Sequence, residues 1–106
     1  MDDAGPLRIA ARKEAVGHRL QGELGGALAN LEAARTTEQI TRNRLLPQAE
    51  LTFKSALAGY ENGKVDFATL LDAQRQIRNA RLALLRAQAS QQMRLADIER
   101  LLGEDL

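Results

Sequence analysis

Apolar residues recur every three or four positions through most of the chain, which is the spacing of a helix that buries one face. In the C-terminal half, large residues alternate with alanines at heptad positions: Leu70, Ala73, Ile77, Ala80, Leu84 and Ala87. Gln91 and Arg94 interrupt this seam, which resumes at Ile98 and Leu101. Because alanines let two helices approach closely, the pattern predicts a long helix over residues 67–102 in a tight antiparallel hairpin.

The N-terminal half carries two apolar seams that are out of phase by one residue. The first comprises Leu20, Leu24, Ala27, Leu31 and Ala34, and the second comprises Leu46, Ala49, Phe53, Ala56 and Tyr60. The slip falls within residues 36–44, and Pro47, which cannot donate a backbone hydrogen bond, follows it. We predict one long first helix over residues 7–61 that is kinked within residues 36–47. The alternative is two helices split near Asn43 to Pro47, with Pro47 at the first helical position.

The strongest turn signals lie between these two halves. Gly63 can end the first helix in the left-handed conformation, and Asp66 can cap the second by accepting from backbone N–H groups. A β-hairpin is disfavoured because neither flank of the Asn62-Gly63 pair alternates with period two. The sequence therefore predicts an all-α fold: a single coiled-coil-like helical hairpin over residues 1–106, with its turn at residues 62–66.

A second apolar line on the predicted second helix lies off the seam: Leu82, Leu85, Ala89 and Ala96. A lone hairpin buries only one face of each helix, so this line implies further neighbours and predicts self-association. The N-terminal third is predicted to be the weakest part, because each glycine inside a helix costs about 1 kcal/mol relative to alanine. Four glycines lie there: Gly17, Gly22, Gly25 and Gly26.

The composition agrees with an all-α chain and includes few of the residue types that form catalytic sites. The 106 residues are 44% hydrophobic, mostly Ala and Leu, and only 3% aromatic, with no Cys and one His. These counts exclude a disulfide framework, a thiolate site and a catalytic triad. His18 and Glu14 supply two ligands at most, too few for a usual coordination shell. We therefore expect no enzymatic activity, no cofactor and no metal site.

The charges indicate neither a nucleic acid nor a membrane partner. Lys and Arg total 15 and Asp and Glu total 14, a formal net charge of +1. The arginines of the second helix are scattered over several heptad positions, which is typical of a solvated surface rather than a nucleic-acid site; they are Arg75, Arg78, Arg81, Arg86, Arg94 and Arg100. The first residues carry acids and no apolar core follows, so we expect no signal peptide and no membrane segment in this chain.

Three ordered motifs resemble TolC-type outer-membrane efflux proteins. The segment YENGKVDFATLLDAQR, residues 60–75, is similar to that family's hairpin tip, where a Tyr, a Gly and a short polar turn precede a Leu-Asp-Ala-Gln core. The segments LLPQAE at residues 45–50 and IERLLG at residues 98–103 also resemble sequence motifs of the family. The resemblance spans roughly residues 15–104. The residues KVDF at positions 64–67 and LLG at positions 101–103 resemble the heavy-metal-cation export branch of the family.

The resemblance implies that this chain corresponds to one part of a larger protein assembly. Full members of the family are trimers with an outer-membrane β-barrel and a periplasmic α-helical barrel, and this chain resembles only the second long hairpin of the α-barrel. Membrane contact would then come only through barrel segments missing here. The expected location is the periplasm and outer membrane, the expected partners are a periplasmic adaptor and an inner-membrane pump, and the expected role is a passive conduit for metal cations or small toxic compounds.

The same resemblance assigns roles to residues near the tip. Asp72 matches an acidic position that lines the closed entrance, and Tyr60 matches a tyrosine that holds the entrance shut. Asn62, Gly63 and Lys64 would form the tip that docks against the adaptor. The simpler alternatives are that Asp72 pairs with a neighbouring arginine on the surface and that Gly63 only ends the helix.

Two positions depart from the best-known member of the family. Thr69 stands where that member has a second acid, and Val65 stands where it has an arginine. A gate built on this chain would therefore carry fewer charges. The chain's three aromatic residues, Phe53, Tyr60 and Phe67, are spaced by seven and surround the turn. The alternative function is a free-standing helical hairpin that associates into a dimer or bundle as a scaffold.

Overall fold

The computed structural model of the protein describes residues 4–105, which form two long antiparallel helical arms. The first arm comprises α1 (Ala4–Ile40), a π-helical segment (Thr41–Leu45) and α2 (Leu46–Glu61). The second arm is α3 (Phe67–Asp105). The molecule measures 91 × 18 × 15 Å, the width of two helices side by side. The prediction of an all-α helical hairpin is confirmed.

The arms are slightly longer than the sequence pattern suggests. The first begins at Ala4 rather than residue 7, and the second ends at Asp105 rather than residue 102. Pro6 lies within the first turn of α1, where the N–H that proline lacks would have no partner inside the helix in any case. Gly103 lies inside α3 and does not end it. The apolar pattern marks only the residues that pack, so it misses helical turns that extend beyond the packed region.

The first arm stays helical through the phase slip, and the irregularity is a π turn. The backbone N–H of Leu46 donates to the carbonyl of Thr41, five residues earlier instead of four. Ile40 has φ −64° and ψ −43°, and Leu46 has φ −65° and ψ −49°, both ordinary right-handed helical values. Pro47 lies in the first turn of α2. The first arm therefore accommodates Pro47 by forming one wider turn just before it, and it does not split into two separate helices.

The core is a single thin seam made mostly of alanine. On the first arm the buried residues are Leu31, Ala34, Thr41, Ala49 and Ala56; on α3 they are Ala73, Ala80, Ala87, Ile98 and Leu101. Small side chains at these positions allow close approach of the two helices. Among the described residues no large side chain is completely buried.

The beginning of α1 extends beyond the end of α3. The segments of the first arm are 37, 5 and 16 residues long, whereas α3 has 39. Every side chain from residue 5 to residue 19 is exposed, including Leu7 at 71% and Val16 at 60%. About four turns at the start of α1 consequently pack against no other part of the described chain.

The second apolar line of α3 is also left uncovered. Leu85 is 63% exposed and Leu82 is 43% exposed, and both lie away from the alanine seam. Within residues 4–105, no helix is long and apolar enough to cross a membrane.

Candidate functional site at the hairpin tip

The first arm ends in a hydrogen-bonded glycine motif that reverses the chain. Gly63 has φ +72°, the left-handed conformation that glycine adopts without a steric penalty. Its N–H donates to the carbonyl of Tyr60 (3.0 Å), and the N–H of Lys64 donates to the carbonyl of Gly59 (2.7 Å). This pair of bonds is a Schellman motif, which satisfies carbonyl groups that the helix end would otherwise leave unpaired.

The turn then folds back onto the last turn of α2. The N–H of Val65 also donates to the carbonyl of Gly59, at 3.3 Å. The two methyl groups of Val65 lie so close that a Cβ at position 59 would be 3.1 and 3.2 Å from them. Gly59 therefore leaves the space into which Val65 packs, and this contact fixes the direction in which the chain enters α3.

Asp66 caps α3. Its Oδ1 accepts from the backbone N–H of Thr69 (2.9 Å) and from the Thr69 hydroxyl (2.7 Å). These bonds favour the charged carboxylate, so the Thr69 hydroxyl first, and then its backbone N–H, lower the pKa of Asp66 below its ordinary value. A negative charge also suits the positive end of the helix dipole.

An aromatic pair bridges the two arms beside the turn. The rings of Tyr60 and Phe67 are 6.0 Å apart between centroids, with an angle of 62° between their planes. This edge-to-face arrangement is a favourable one for aromatic rings. Tyr60 is 43% exposed and Phe67 is 60% exposed, so the pair both ties the arms together and presents aromatic surface at the end of the molecule.

Asp72 lies farther along α3 and belongs to a surface ion pair. Its Oδ1 is 3.8 Å from Nη1 of Arg75, three residues later, and both side chains are mostly exposed. A pair of this kind contributes at most a few tenths of a kcal/mol to a helix. In the single chain, Asp72 therefore forms the surface ion pair with a neighbouring arginine that was the alternative to an entrance role. Its carboxylate remains accessible from solvent.

The tip offers a recognition surface and no reactive centre. Asn62, Gly63 and Lys64 are all exposed, and they follow one another at the extreme end of the hairpin. Within residues 4–105, no three His, Cys, Asp or Glu side chains are grouped so that they could hold a metal ion. What the arrangement can do chemically is present hydrogen-bonding groups, one ammonium group and two aromatic rings in a fixed geometry.

Gly59 and Thr69 also shape the tip, although the local sequence rules that predict the roles of Gly63 and Asp66 do not name either of them. Thr69 follows Asp66 by three residues, which is the spacing of a helix cap and the residue it bonds, so its role was readable from the sequence. Gly59 gave no comparable signal. Its role depends on Val65 folding back across the helix, and that contact appears only once the turn has its three-dimensional form.

The chain is similar in sequence to a curated protein that is named for metal resistance. The chain is 34% identical over 73 residues to the cobalt-zinc-cadmium resistance protein CzcC of Cupriavidus metallidurans. The matched region covers 69% of this chain and 18% of the relative, so the chain spans less than a fifth of that protein's length. No solved structure matches the chain significantly.

The match to a family model is broader. The model for the outer membrane efflux protein family matches residues 8–104, which include the turn and nearly all of both helical arms. The three motifs at residues 45–50, 60–75 and 98–103, the phase slip of the first arm and the alanine seam all lie within that range. The chain therefore belongs to the outer membrane efflux protein family.

Proposed function

We propose that the chain is a periplasmic helical hairpin of an outer-membrane efflux channel, acting as a passive part of the conduit in a tripartite export system. The observation that carries this proposal is the family match over residues 8–104, which coincides with the complete hairpin from the overhanging start of α1 to the last turns of α3. The family is one of transport components, and the hairpin contributes shape and surface to such a channel.

The exposed apolar residues support a place in the wall of a larger assembly. Leu82 and Leu85 on α3 and Leu51 on α2 are between 43% and 65% exposed. Exposed apolar surface of this kind marks a site of protein contact. In a channel wall, neighbouring hairpins would cover these side chains, and the elongated two-helix shape would form one segment of the wall.

The tip is the part that we propose meets the periplasmic adaptor and closes the channel. Asn62, Gly63 and Lys64 would dock against the adaptor, because they are the most protruding residues of a turn that three backbone hydrogen bonds hold in place. Tyr60 would contribute to closing the entrance, since its hydroxyl-bearing ring is 43% exposed beside the turn.

Asp72 is the residue that we propose lines the entrance. Three copies of an exposed carboxylate around a narrow opening would concentrate negative potential and attract cations. The proposed cargo is metal cations or small toxic compounds. The metal part of this proposal rests on the similarity to CzcC, whose name refers to cobalt, zinc and cadmium resistance.

The proposal is tested in the full-length protein that contains this chain. Cells lacking the gene should become more sensitive to cobalt, zinc or cadmium salts, and restoring the gene should restore growth. Unchanged growth with all three metals and with small toxic compounds would overturn the export role.

The entrance role of Asp72 has its own test, with a matched control. In planar bilayers, Asp72→Asn should change the cation preference or cation block of the channel, whereas Asp97→Asn should not. The two residues are comparable because each aspartate pairs with an arginine three positions away, at 3.8 Å for Asp72 and 3.7 Å for Asp97. The Asp97 side chain is the less exposed of the two, at 48% against 74%. Equal behaviour of both variants and the parent channel would exclude Asp72 from the entrance.

A further inference from the structure

Midway along the hairpin, the seam becomes polar on both arms at the same level. On the first arm, Thr41 is buried and the Glu38 side chain is only 12% exposed. On α3, Gln88, Gln91 and Arg94 are half-buried at this level. We call these five residues the waist. It separates an apolar seam near the tip from a second one at the far end.

The backbone of the first arm is also irregular at the waist. The N–H of Leu46 reaches back five residues to Thr41, so the helix is wider there than an α-helix. The Thr41 hydroxyl donates to the carbonyl of Thr37 (2.8 Å), and the Thr37 hydroxyl donates to the carbonyl of Ala33 (3.0 Å). Threonine hydroxyls bonded in this way slightly destabilise and often bend helices. Pro47, just beyond the π turn, cannot donate to the preceding turn.

Open space accompanies the waist. A groove of about 560 Å³ lies along one side of it, lined by Glu38, Arg42, Gln88 and Gln92 among others. A groove of equal volume lies beside Ala49 and Ala80, so the polar lining, and not the amount of space, sets the waist apart. Glu38 forms an ion pair with Arg42 along the first arm. Ala87, at 6% exposed, is the buried apolar residue of α3 at this level, and the waist residues around it are polar. A small change in the angle between the helices would therefore expose less apolar surface here than elsewhere along the seam. The same change at Ala80 or Ala49 would open a packed seam.

We propose that the waist is a hinge about which the tip half of the hairpin bends relative to the far half. The π turn carries the backbone change on the first arm, and α3 follows by a smooth bend over its polar stretch. If the chain acts in a channel wall, which rests on the proposed function, the hinge lets the tip move while the far half stays packed in the wall. π turns inside α-helices frequently occur at functional sites.

The hinge can be removed by deleting one residue. The seam positions Thr41 and Leu46 are five residues apart, whereas three- and four-residue steps are the rule elsewhere, from Ala49 to Phe53 to Ala56 for example. Deleting Asn43 restores a four-residue step and keeps the same side chains facing α3. The matched control is Asn43→Ala, which alters the same position and leaves the extra residue in place.

Spin labels on paired cysteines measure the bending directly, because the chain contains no native Cys. The pair Ala33→Cys and Glu50→Cys spans the waist, and the pair Ala68→Cys and Leu85→Cys spans an equal length of α3 within the tip half; all four positions are exposed. The distance distribution of the first pair should be clearly broader. Deleting Asn43 should narrow it to the width of the second pair, and Asn43→Ala should leave it broad.

Hydrogen exchange of the unaltered chain provides a test that does not depend on the deletion variant folding. Backbone amides of residues 42–46 should exchange roughly tenfold faster than those of residues 50–56, because local opening requires less free energy at a hinge. Equal distance widths in the parent chain, or equal exchange in the two segments, would overturn the hinge. Either result would leave the proposed export role untouched, since metal sensitivity of cells tests that role separately.

Discussion

The methyl groups of Val65 occupy the space where a side chain at Gly59 would begin. A Cβ at position 59 would be 3.1 Å from Cγ1 and 3.2 Å from Cγ2 of Val65, closer than ordinary van der Waals contact. Val65 can hardly retreat, because its N–H is bonded to the carbonyl of Gly59 and its branched side chain has little rotamer freedom. The close fit of these two residues holds the turn against the end of α2.

The first prediction follows from this contact. Gly59→Ala should destabilise the hairpin by about 1 kcal/mol, because the cost of overpacking exceeds the helix propensity that alanine adds. In a Val65→Ala background the same substitution should be stabilising, since the obstructing methyl groups are gone. Urea unfolding of the four chains provides the double-mutant cycle. A Gly59→Ala effect of the same sign and size in both backgrounds would show that Val65 does not impose the requirement.

The second prediction concerns the left-handed residue of the turn. Gly63→Ala should cost about 1–2 kcal/mol, because a Cβ clashes with the following carbonyl at φ +72°. Gly63→Asn should cost less, since asparagine tolerates this conformation better than alanine does. Both values come from chemical denaturation at neutral pH. Nothing else crowds position 63, where an added Cβ meets no atom within 4 Å, so the loss measures backbone conformation alone.

The third prediction is a dependence of stability on pH. The folded state lowers the pKa of Asp66, so this group contributes stability above the unfolded pKa of aspartate. That contribution is lost as the pH falls through the lower, folded pKa. The parent chain should therefore lose stability below about pH 4, relative to the Asp66→Asn variant, which still caps the helix but cannot titrate. Thermal unfolding of both chains from pH 7 to pH 2 tests this.

If the difference in stability between the parent chain and Asp66→Asn stays constant over that range, the carboxylate does not stabilise the cap through its charge. Thr69→Val is the complementary variant, because it removes the hydroxyl that donates to Asp66 and keeps the backbone N–H bond. It should reduce the acid sensitivity without abolishing it.

The one-residue slip between the two upstream seams could be predicted from the sequence, but its form could not. The spacing from Ala34 and Thr41 to Ala49 requires one extra residue before Pro47, and the structure absorbs it in the π turn. A break in the helix would satisfy the same spacing. The choice depends on the partner helix: α3 continues as one α-helix past this point, so a first arm that stays helical keeps its contacts on both sides.

The tip could be predicted to a similar extent. Gly63 and Asp66 follow from local rules, because helix ends need a left-handed residue and a capping oxygen. The spacing of the aromatic residues predicts that Tyr60 and Phe67 both lie near the turn. No sequence pattern predicts the contact between Gly59 and Val65. Contacts across a turn depend on its exact geometry. In the proposed channel, the surroundings of Asp72 would depend on other chains.

The fourth prediction tests the alanine seam. Ala80 is 3% exposed and lies opposite Ala49, so Ala80→Leu should force the arms apart and cost about 1–3 kcal/mol. The control is Ala89→Leu, which makes the same change on an exposed position of α3. Helix propensity is almost the same for the two residues, so it does not separate the variants. Equal urea midpoints for both would mean that the arms do not pack through close alanine contacts.

The fifth prediction concerns self-association of the isolated chain. The line of Leu82 and Leu85 is exposed along one side of α3, and hairpins that pair through it would bury apolar surface that a monomer leaves in water. We therefore expect dimers or larger bundles at micromolar concentration by sedimentation velocity. Replacing both leucines with lysine should shift the population towards monomer without unfolding the hairpin, because neither residue lies in the buried seam.

Leu7→Lys with Ile9→Lys is the matched control for that experiment. These two side chains are 71% and 58% exposed, but they lie on the overhanging start of α1, far from the line on α3. The control should associate like the parent chain if the α3 line drives assembly. A parent chain that remains monomeric would contradict self-association through this surface. A parent chain that associates equally with and without Leu82 and Leu85 would place the contact on another face, such as the one that carries Leu51 on α2.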